Sequence, residues 1–191
     1  MGNRDQGKIA KQGGEAWNQW REQNSEVVPD ISGEQLHRVD LKGADMSGSV
    51  LVETLLTKAE FSGANLENTN LTRANLWGAI LIGASLKNAN MQDANLRSSK
   101  LNEVDLEGAD LTGSELNFAD LSGANLKSVN LSGSLWVHVD LTGADLSGAN
   151  LQDILNWADV KSIKEANVDG VIDPPDGFLE WAQENGAVTS S

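Results

Sequence analysis

A large apolar residue stands at every fifth position from Ile31 to Leu151, and no insertion breaks this period. Of these 25 positions, which we call centres, 20 are leucine. At the 24 positions from 34 to 149 that lie two residues before a centre, the side chain is small, except at Glu34. One residue before it, 16 of 25 positions are Asp or Asn, and two residues after it, 12 of 25 are Gly. The consensus is Ala-(Asp/Asn)-Leu-x-Gly, as in residues 144–148.

A period of five fits neither regular element. On a helix the centres would spread over every face, and in a flat strand alternate centres would point to opposite sides. The pattern instead predicts three extended residues followed by a two-residue corner, where Gly supplies backbone freedom and Asp or Asn hydrogen-bonds the nearby backbone. The chain then winds into a solenoid. Its predicted core ladder is Leu36, Leu41, Met46, Leu51, Leu56, Phe61, Leu66, Leu71, Leu76, Leu81, Leu86, Met91, Leu96, Leu101, Leu106, Leu111, Leu116, Leu121, Leu126, Leu131, Trp136, Leu141, Leu146 and Leu151.

The tandem Ala-(Asp/Asn)-Leu-x-x run over residues 31–151 resembles the pentapeptide repeat family. The resemblance implies a right-handed quadrilateral β-helix, in which four repeats and four corners make one coil, whereas the period alone leaves the number of corners open. We therefore expect an all-β solenoid of about six coils with helical N- and C-terminal caps.

The sequence outside the repeats predicts the remaining organisation. Residues 1–14 are expected to be flexible, residues 15–30 to form an N-terminal helical cap, and residues 31–155 to form the β-helix. The period fails at Asn156, so residues 156–191 are expected to form a C-terminal helical cap and tail. The predicted cap residues are Trp17, Trp20, Phe178 and Trp181. Both flanks resemble those often seen around the repeats in cyanobacterial members of the family.

Composition argues against several kinds of chemistry. The chain has no cysteine and only two histidines, His37 and His138, whose repeat positions place them about 24 Å apart. We find no phosphate-binding loop or nucleophile motif, and therefore expect no enzyme activity, cofactor or metal. The net charge of −14 disfavours direct nucleic-acid binding. No apolar run is long enough to cross a membrane. The expected location is the cytoplasm, or the lumen or periplasm if a leader has been removed.

One face of the expected solenoid carries unusual side chains. With four repeats in each coil, every fourth centre lies on the same face. We call the face centred on Leu36, Leu56, Leu76, Leu96, Leu116 and Trp136 the Leu36 face. Its only outward acid is Glu115. The candidate interaction surface consists of Leu55, Trp77, Arg97, Phe118, Leu135 and Val137. Sequence drift or docking of a terminal segment would also account for it. Trp136 is large for a centre, so the coil would either widen there or exchange Leu135 for Trp136 inside.

The preferred functional interpretation is a non-catalytic structural or protein-interaction module whose partner is another, unidentified protein. The alternative is an acidic DNA mimic that binds gyrase or another topoisomerase, as the resemblance implies for some members. Residues 101–150 carry eight acids and one base, Lys127. Such members dimerise through a C-terminal helical module. Phe178, Leu179 and Trp181 would therefore either join two chains end to end or cap a monomer.

Overall fold

Parallel β-bridges between residues 20 apart organise most of the chain. The computed structural model describes residues 2–189, so Met1 and the last two positions of the expected tail lie outside it. The bridges run without interruption from Asp30↔Val50 to Leu135↔Leu155. Each side of a coil contributes one bridging residue, the one that precedes the centre. Four sides, each of one repeat, therefore make one coil. The described helices are α1 (Arg4–Ala10), α2 (Gly14–Gln23), a 3₁₀ helix (Trp157–Asp159) and α3 (Phe178–Glu184).

The corners use a left-handed backbone conformation throughout. Every residue that stands two positions after a centre has a positive φ, between 53° and 71°. At every corner except that of Trp136, the amide of the next residue donates to the carbonyl oxygen of the centre, as from Ala44 to Leu41 at 3.1 Å, and so closes a β-turn. Only 12 of these residues are glycine. The other 13 are L-residues, for which this conformation costs about 1–2 kcal/mol. They adopt it because the surrounding coil dictates the backbone path.

The interior is filled by the centres and by the small residues that precede them. Every residue of the predicted ladder is buried, with at most 1% of its surface exposed. Trp136 lies inside like the others, and Leu135 is half-buried outside, so the two do not exchange roles. The Trp136 indole N–H donates to the Ser134 hydroxyl at 2.8 Å, which satisfies its polar atom in the core.

The Asp and Asn side chains stabilise the corners. At all 16 positions, the side-chain oxygen accepts a hydrogen bond from the backbone N–H two residues later. These are the bonds that the sequence predicted for this slot. The structural role of these Asp and Asn side chains therefore explains why they recur at this position.

The N-terminal cap is longer than the sequence predicted. Residues 1–14 were expected to be flexible, but Arg4–Ala10 form α1, which begins at an Asn3 side chain that accepts from Asp5 and Gln6. Residues 2 and 3 bind the first coil through backbone hydrogen bonds. Gly14 approaches that coil so closely that a Cβ would lie 2.6 Å from the Lys42 carbonyl oxygen. Close packing against the first coil therefore explains the pair Gly13 and Gly14, which from the sequence alone suggests flexibility.

The N-terminal segment forms hydrogen bonds with three of the four edges of the first coil. Asn3 donates to Asp30, Gly14 donates to Asp40, and the Trp17 indole donates to the Asp45 carbonyl oxygen at 2.7 Å. Trp17 is fully buried, and Trp20 packs on it with ring centroids 5.2 Å apart. Within residues 2–189, no hydrogen bond joins the backbone of Gln35, which forms the edge of the Leu36 face.

The β-helix continues past residue 155, where the sequence predicted its end. Two additional residues enter at the 3₁₀ helix, and bridging resumes with Asp140↔Ser162 and reaches Asn150↔Ile172. Residues 166–170, Ala-Asn-Val-Asp-Gly, are a full repeat shifted by two positions. The shift explains why an uninterrupted period of five did not detect them.

Helix α3 closes the C-terminal end of the core. Phe178 is fully buried, with its ring centroid 6.4 Å from that of Trp136 and 5.7 Å from that of Trp157. Trp181 is half-buried beside Trp157 at 5.4 Å. Phe178 therefore caps its own chain and is not available to pair two chains end to end. Leu179 remains 36% exposed.

Candidate interaction surface

The structure brings all six candidate residues to the Leu36 face. Phe118 is 52% exposed, Leu55 is 41% exposed and Trp77 is 39% exposed. Arg97 is also exposed, whereas Leu135 and Val137 are half-buried. Leu155, which the sequence analysis placed at the domain boundary, is 51% exposed and bridges to Leu135. It extends the apolar surface by one coil. Its position 20 residues after Leu135 is the sequence feature that indicates its place on this face.

Trp77 is held at a corner by its neighbours. Its backbone N–H donates to the Asn75 side chain at 3.1 Å, which fixes the turn from which the indole projects. The Lys58 ammonium group lies 4.9 Å from the centroid of the Trp77 ring. This cation–π contact covers part of one ring face and places a positive charge beside the aromatic surface.

Phe118 occupies a strained backbone position and is exposed nevertheless. Its φ is 62°, and it is the only apolar residue among the 13 non-glycine residues in this slot. Its ring lies 5.4 Å from that of His138, one coil further along the rod. A bulky aromatic residue in the left-handed region is unfavourable, and neither burial nor the fold accounts for its presence there.

An apolar residue at the bridging position removes the side chain that normally satisfies the corner. At Leu135 the structure compensates from the neighbouring coil, because the Asn117 side chain accepts from the Val137 N–H at 3.1 Å. Asn117 is itself only 9% exposed. The fold therefore tolerates Leu135 and Val137 on the surface through a dedicated hydrogen bond.

Charge separates the Leu36 face from the other three. Through residue 155 its outward positions carry three bases, Arg38, Lys58 and Arg97, and one acid, Glu115. Each of the other faces carries five acids and at most two bases over the same coils. Arg97 lies 3.7 Å from Glu115, and within residues 2–189 no acid pairs with Arg38 or Lys58. The apolar surface is thus also the basic side of an acidic rod.

Two acids on the other faces, Asp140 and Asp145, have a pKa that the fold lowers. Partial burial raises the pKa of Asp140, but hydrogen bonds from Lys161 and Thr142 outweigh this effect and hold it below its ordinary value. The pKa of Asp145 is lowered in the same way: burial opposes the shift, and hydrogen bonds from Ser147 and Lys127 dominate. These shifts come from the corner hydrogen bonds and do not indicate a catalytic acid.

Within the described part of the chain, no group of three or more His, Asp or Glu side chains is arranged to hold a metal ion. A cleft of about 690 Å³ lies between α1 and the first coil. Its lining includes Lys11 and Glu34, which form an ion pair at 2.8 Å. Among residues 2–189, no helix has the length and apolar character that crossing a bilayer requires.

A β-helix with four sides, each of one five-residue repeat, defines this protein as a repeat solenoid. The sequence matches the description "Pentapeptide repeats" in eight copies, over residues 35–73, 69–97, 89–127 and 124–154. The chain belongs to the pentapeptide repeat family. No curated protein matches the sequence.

A solved structure shows the same architecture. A trypsin-treated form of QnrB1, a plasmid-mediated fluoroquinolone resistance protein, is 15% identical, with a TM-score of 0.55 over 85% of this chain and 83% of that one. Rfr23 from the cyanobacterium Cyanothece 51142 is 22% identical over 72% of this chain and 96% of its own, with a TM-score of 0.46. The protein alr5209 from Nostoc PCC 7120 is 27% identical over 66% and 84%, with a TM-score of 0.42. The fold is a right-handed β-helix.

Proposed function

We propose that this protein is a non-catalytic interaction module that binds another protein through the Leu36 face. The observation that carries the proposal is that exposed Leu55, Trp77, Phe118 and Leu155 lie on the face where, through residue 155, bases outnumber acids. Exposed aromatic residues that are grouped on one face are typical of contact surfaces. The rigid ladder beneath them holds the surface in a fixed shape, which reduces the entropy lost on binding.

The experiment is a pull-down from the cell of origin with the purified protein as bait. The test variants are Trp77→Ala and Phe118→Asn, the second chosen because Asn tolerates a positive φ. Ile82→Ala is the matched control, because Ile82 is 39% exposed on a different face. Circular dichroism first establishes that each variant is folded.

The expected result is a specific partner whose recovery falls at least tenfold with either test variant and is unchanged with Ile82→Ala. Recovery that is equal for all three variants would place the contact elsewhere on the molecule. Absence of any specific partner would contradict the proposal directly.

A second candidate function is imitation of DNA in binding a type II topoisomerase. It is supported by the eight acids of residues 101–150 and by the fold shared with QnrB1. Five of these acids form ion pairs with a Lys or Arg side chain, however, so much of that charge is neutralised locally. A gyrase supercoiling assay with added protein tests this function. No effect at high micromolar concentration would eliminate it.

A further inference from the structure

We infer that the partner of the Leu36 face is a single amphipathic helix with acidic margins, lying lengthwise along the rod. The inference rests on the proposed function and names the chemistry of the partner. It follows from the dimensions of the face, from the state of its backbone groups and from its charge.

The apolar surface is long and narrow. It runs from Leu55 on the second coil to Leu155 on the seventh, which is five coil steps of about 4.8 Å, or about 24 Å. The extended part of one side is about three residues, or roughly 10 Å, wide. The area given by this length and width is well below the roughly 800 Å² per partner that a stable contact between globular proteins buries. A helix, about 10 Å in diameter and about 24 Å long over roughly 16 residues, matches both dimensions.

Most backbone groups of the face are already paired with neighbouring coils. The Leu76 N–H donates to Asn95 at 2.8 Å, and the Asn95 N–H donates to Ala74 at 3.0 Å, so both groups point along the rod toward neighbouring coils. A partner strand laid on this face would meet, among residues 2–189, only isolated free amides, such as those of Thr57 and Asn117, and would bury most of its own backbone groups unsatisfied. A helix satisfies its own backbone and offers only side chains.

Charge selects an acidic helix. The three bases of the Leu36 face border its apolar residues, and Lys58 and Arg38 have no acidic partner within residues 2–189. The remaining surface of a chain with net charge −14 repels an acidic segment. The segment therefore gains electrostatically only on this face, which fixes where it binds.

The spacing of the surface residues sets a pattern for the helix. Leu55 and Trp77 occupy the second and third coils, Arg97 the fourth, and the second apolar group begins with Phe118 on the fifth. At about 4.8 Å per coil and about 1.5 Å per helical residue, one coil corresponds to roughly three residues. The matching helix has an apolar pair in its first turn, an acid about seven residues along, and a second apolar group from about residue 10 to about residue 16.

The experiment is selection from a displayed library of helix-forming peptides of about 20 residues, enough to span the face. The purified protein is the target. Peptides that also bind the Trp77→Ala/Phe118→Asn double variant are removed by counter-selection. Enriched peptides are expected to be net acidic with the spacing described above. Their affinity should fall at least tenfold with Lys58→Glu or with the double variant, fall as salt is raised, and stay unchanged with Ile82→Ala.

Several outcomes would overturn the inference: no enrichment, enrichment of basic or proline-rich extended peptides, or binding that Lys58→Glu does not affect. Self-association in sedimentation that Trp77→Ala abolishes would assign the face to a second copy of the chain instead. If the pull-down depends on Trp77 while the library yields no acidic helix, the interaction surface stands and only the helix is wrong. If Trp77→Ala leaves both assays unchanged, the proposed function fails as well.

Discussion

Shortening Leu96 to alanine tests the interior of the solenoid most directly. Leu96 is fully buried in the fourth coil. Its backbone N–H lies 2.9 Å from the Glu115 carbonyl oxygen, and the Leu76 N–H lies 2.8 Å from that of Asn95. Because these bonds hold the coils at a fixed spacing, the cavity left by the side chain cannot collapse. We therefore expect Leu96→Ala to lower the free energy of unfolding by about 3–5 kcal/mol, the upper part of the range for such changes.

The assay is urea unfolding followed by circular dichroism, with two further variants. Leu96→Asp would place an unpaired carboxylate in a dry interior and is expected to abolish the cooperative transition. Ser98→Asp is the matched control, because Ser98 is exposed two positions away and has a φ of 56°. Asp tolerates that conformation. Ser98→Asp should therefore lower the free energy of unfolding by no more than about 0.5 kcal/mol.

A cost below about 1 kcal/mol for Leu96→Ala would show that the coils close around the gap, contrary to the packing argument. Equal behaviour of Leu96→Asp and Ser98→Asp would refute the inward orientation of the ladder altogether. The surface assignments on the Leu36 face would then fail with it, because the same register defines both.

Three further predictions concern the corners, the acids and the N-terminal cap. A Cβ at Gly143 would meet nothing within 4 Å. Gly143→Ala should therefore cost about 1 kcal/mol in urea unfolding through its positive φ alone, and Gly143→Asn less. The lowered pKa of Asp140 gives stability above the ordinary value near 4 that is lost as pH falls through the folded pKa. Asp140→Asn removes the charge that pairs with Lys161 but keeps an acceptor for Thr142. The wild type should therefore lose more unfolding free energy than this variant between about pH 5 and about pH 2.5. Trp17→Ala should cost about 3–5 kcal/mol and speed hydrogen exchange in the first coil. Unchanged exchange there would contradict the capping role.

The ladder could be predicted because a large inward side chain recurs once on every side of the coil, at 25 positions five residues apart. The number of sides could not be derived in this way. A period of five indicates where the chain turns but not the angle of each turn. The expectation of four sides therefore came from the resemblance to the family. Bridges between residues 20 apart supply that angle directly.

Helix α1 could not be predicted from local pattern. Arg4–Ala10 is mostly polar, and its packing arises from close approach at Gly7, where a Cβ would meet the side chain of Glu34. Such a contact depends on a surface that is distant in the sequence. The coil that resumes at residues 162–172 was not predicted for a different reason. Its repeat is present in the sequence but is shifted by two positions from the period of five.

The candidate surface was predictable in composition but not in detail. Positions 20 apart sufficed to gather Leu55, Trp77 and Phe118 on one face. The Lys58–Trp77 contact and the Asn117 hydrogen bond depend on side-chain directions at a corner, which the repeat does not encode. Leu155 follows the last centre of the uninterrupted period, Leu151, so the period alone does not assign it to the Leu36 face.

The pairing of each residue with the one 20 positions later restricts how the chain can change in length. Inserting or deleting a single repeat would turn every later coil by one quarter relative to the earlier ones, and a continuous surface such as the Leu36 face would be cut in two. Only gains or losses of whole coils leave it aligned. The two residues added at the 3₁₀ helix avoid this rotation because they bulge at one corner, and Ser162 still pairs with Asp140. Variation in rod length that keeps the Leu36 face continuous must therefore come in steps of four repeats.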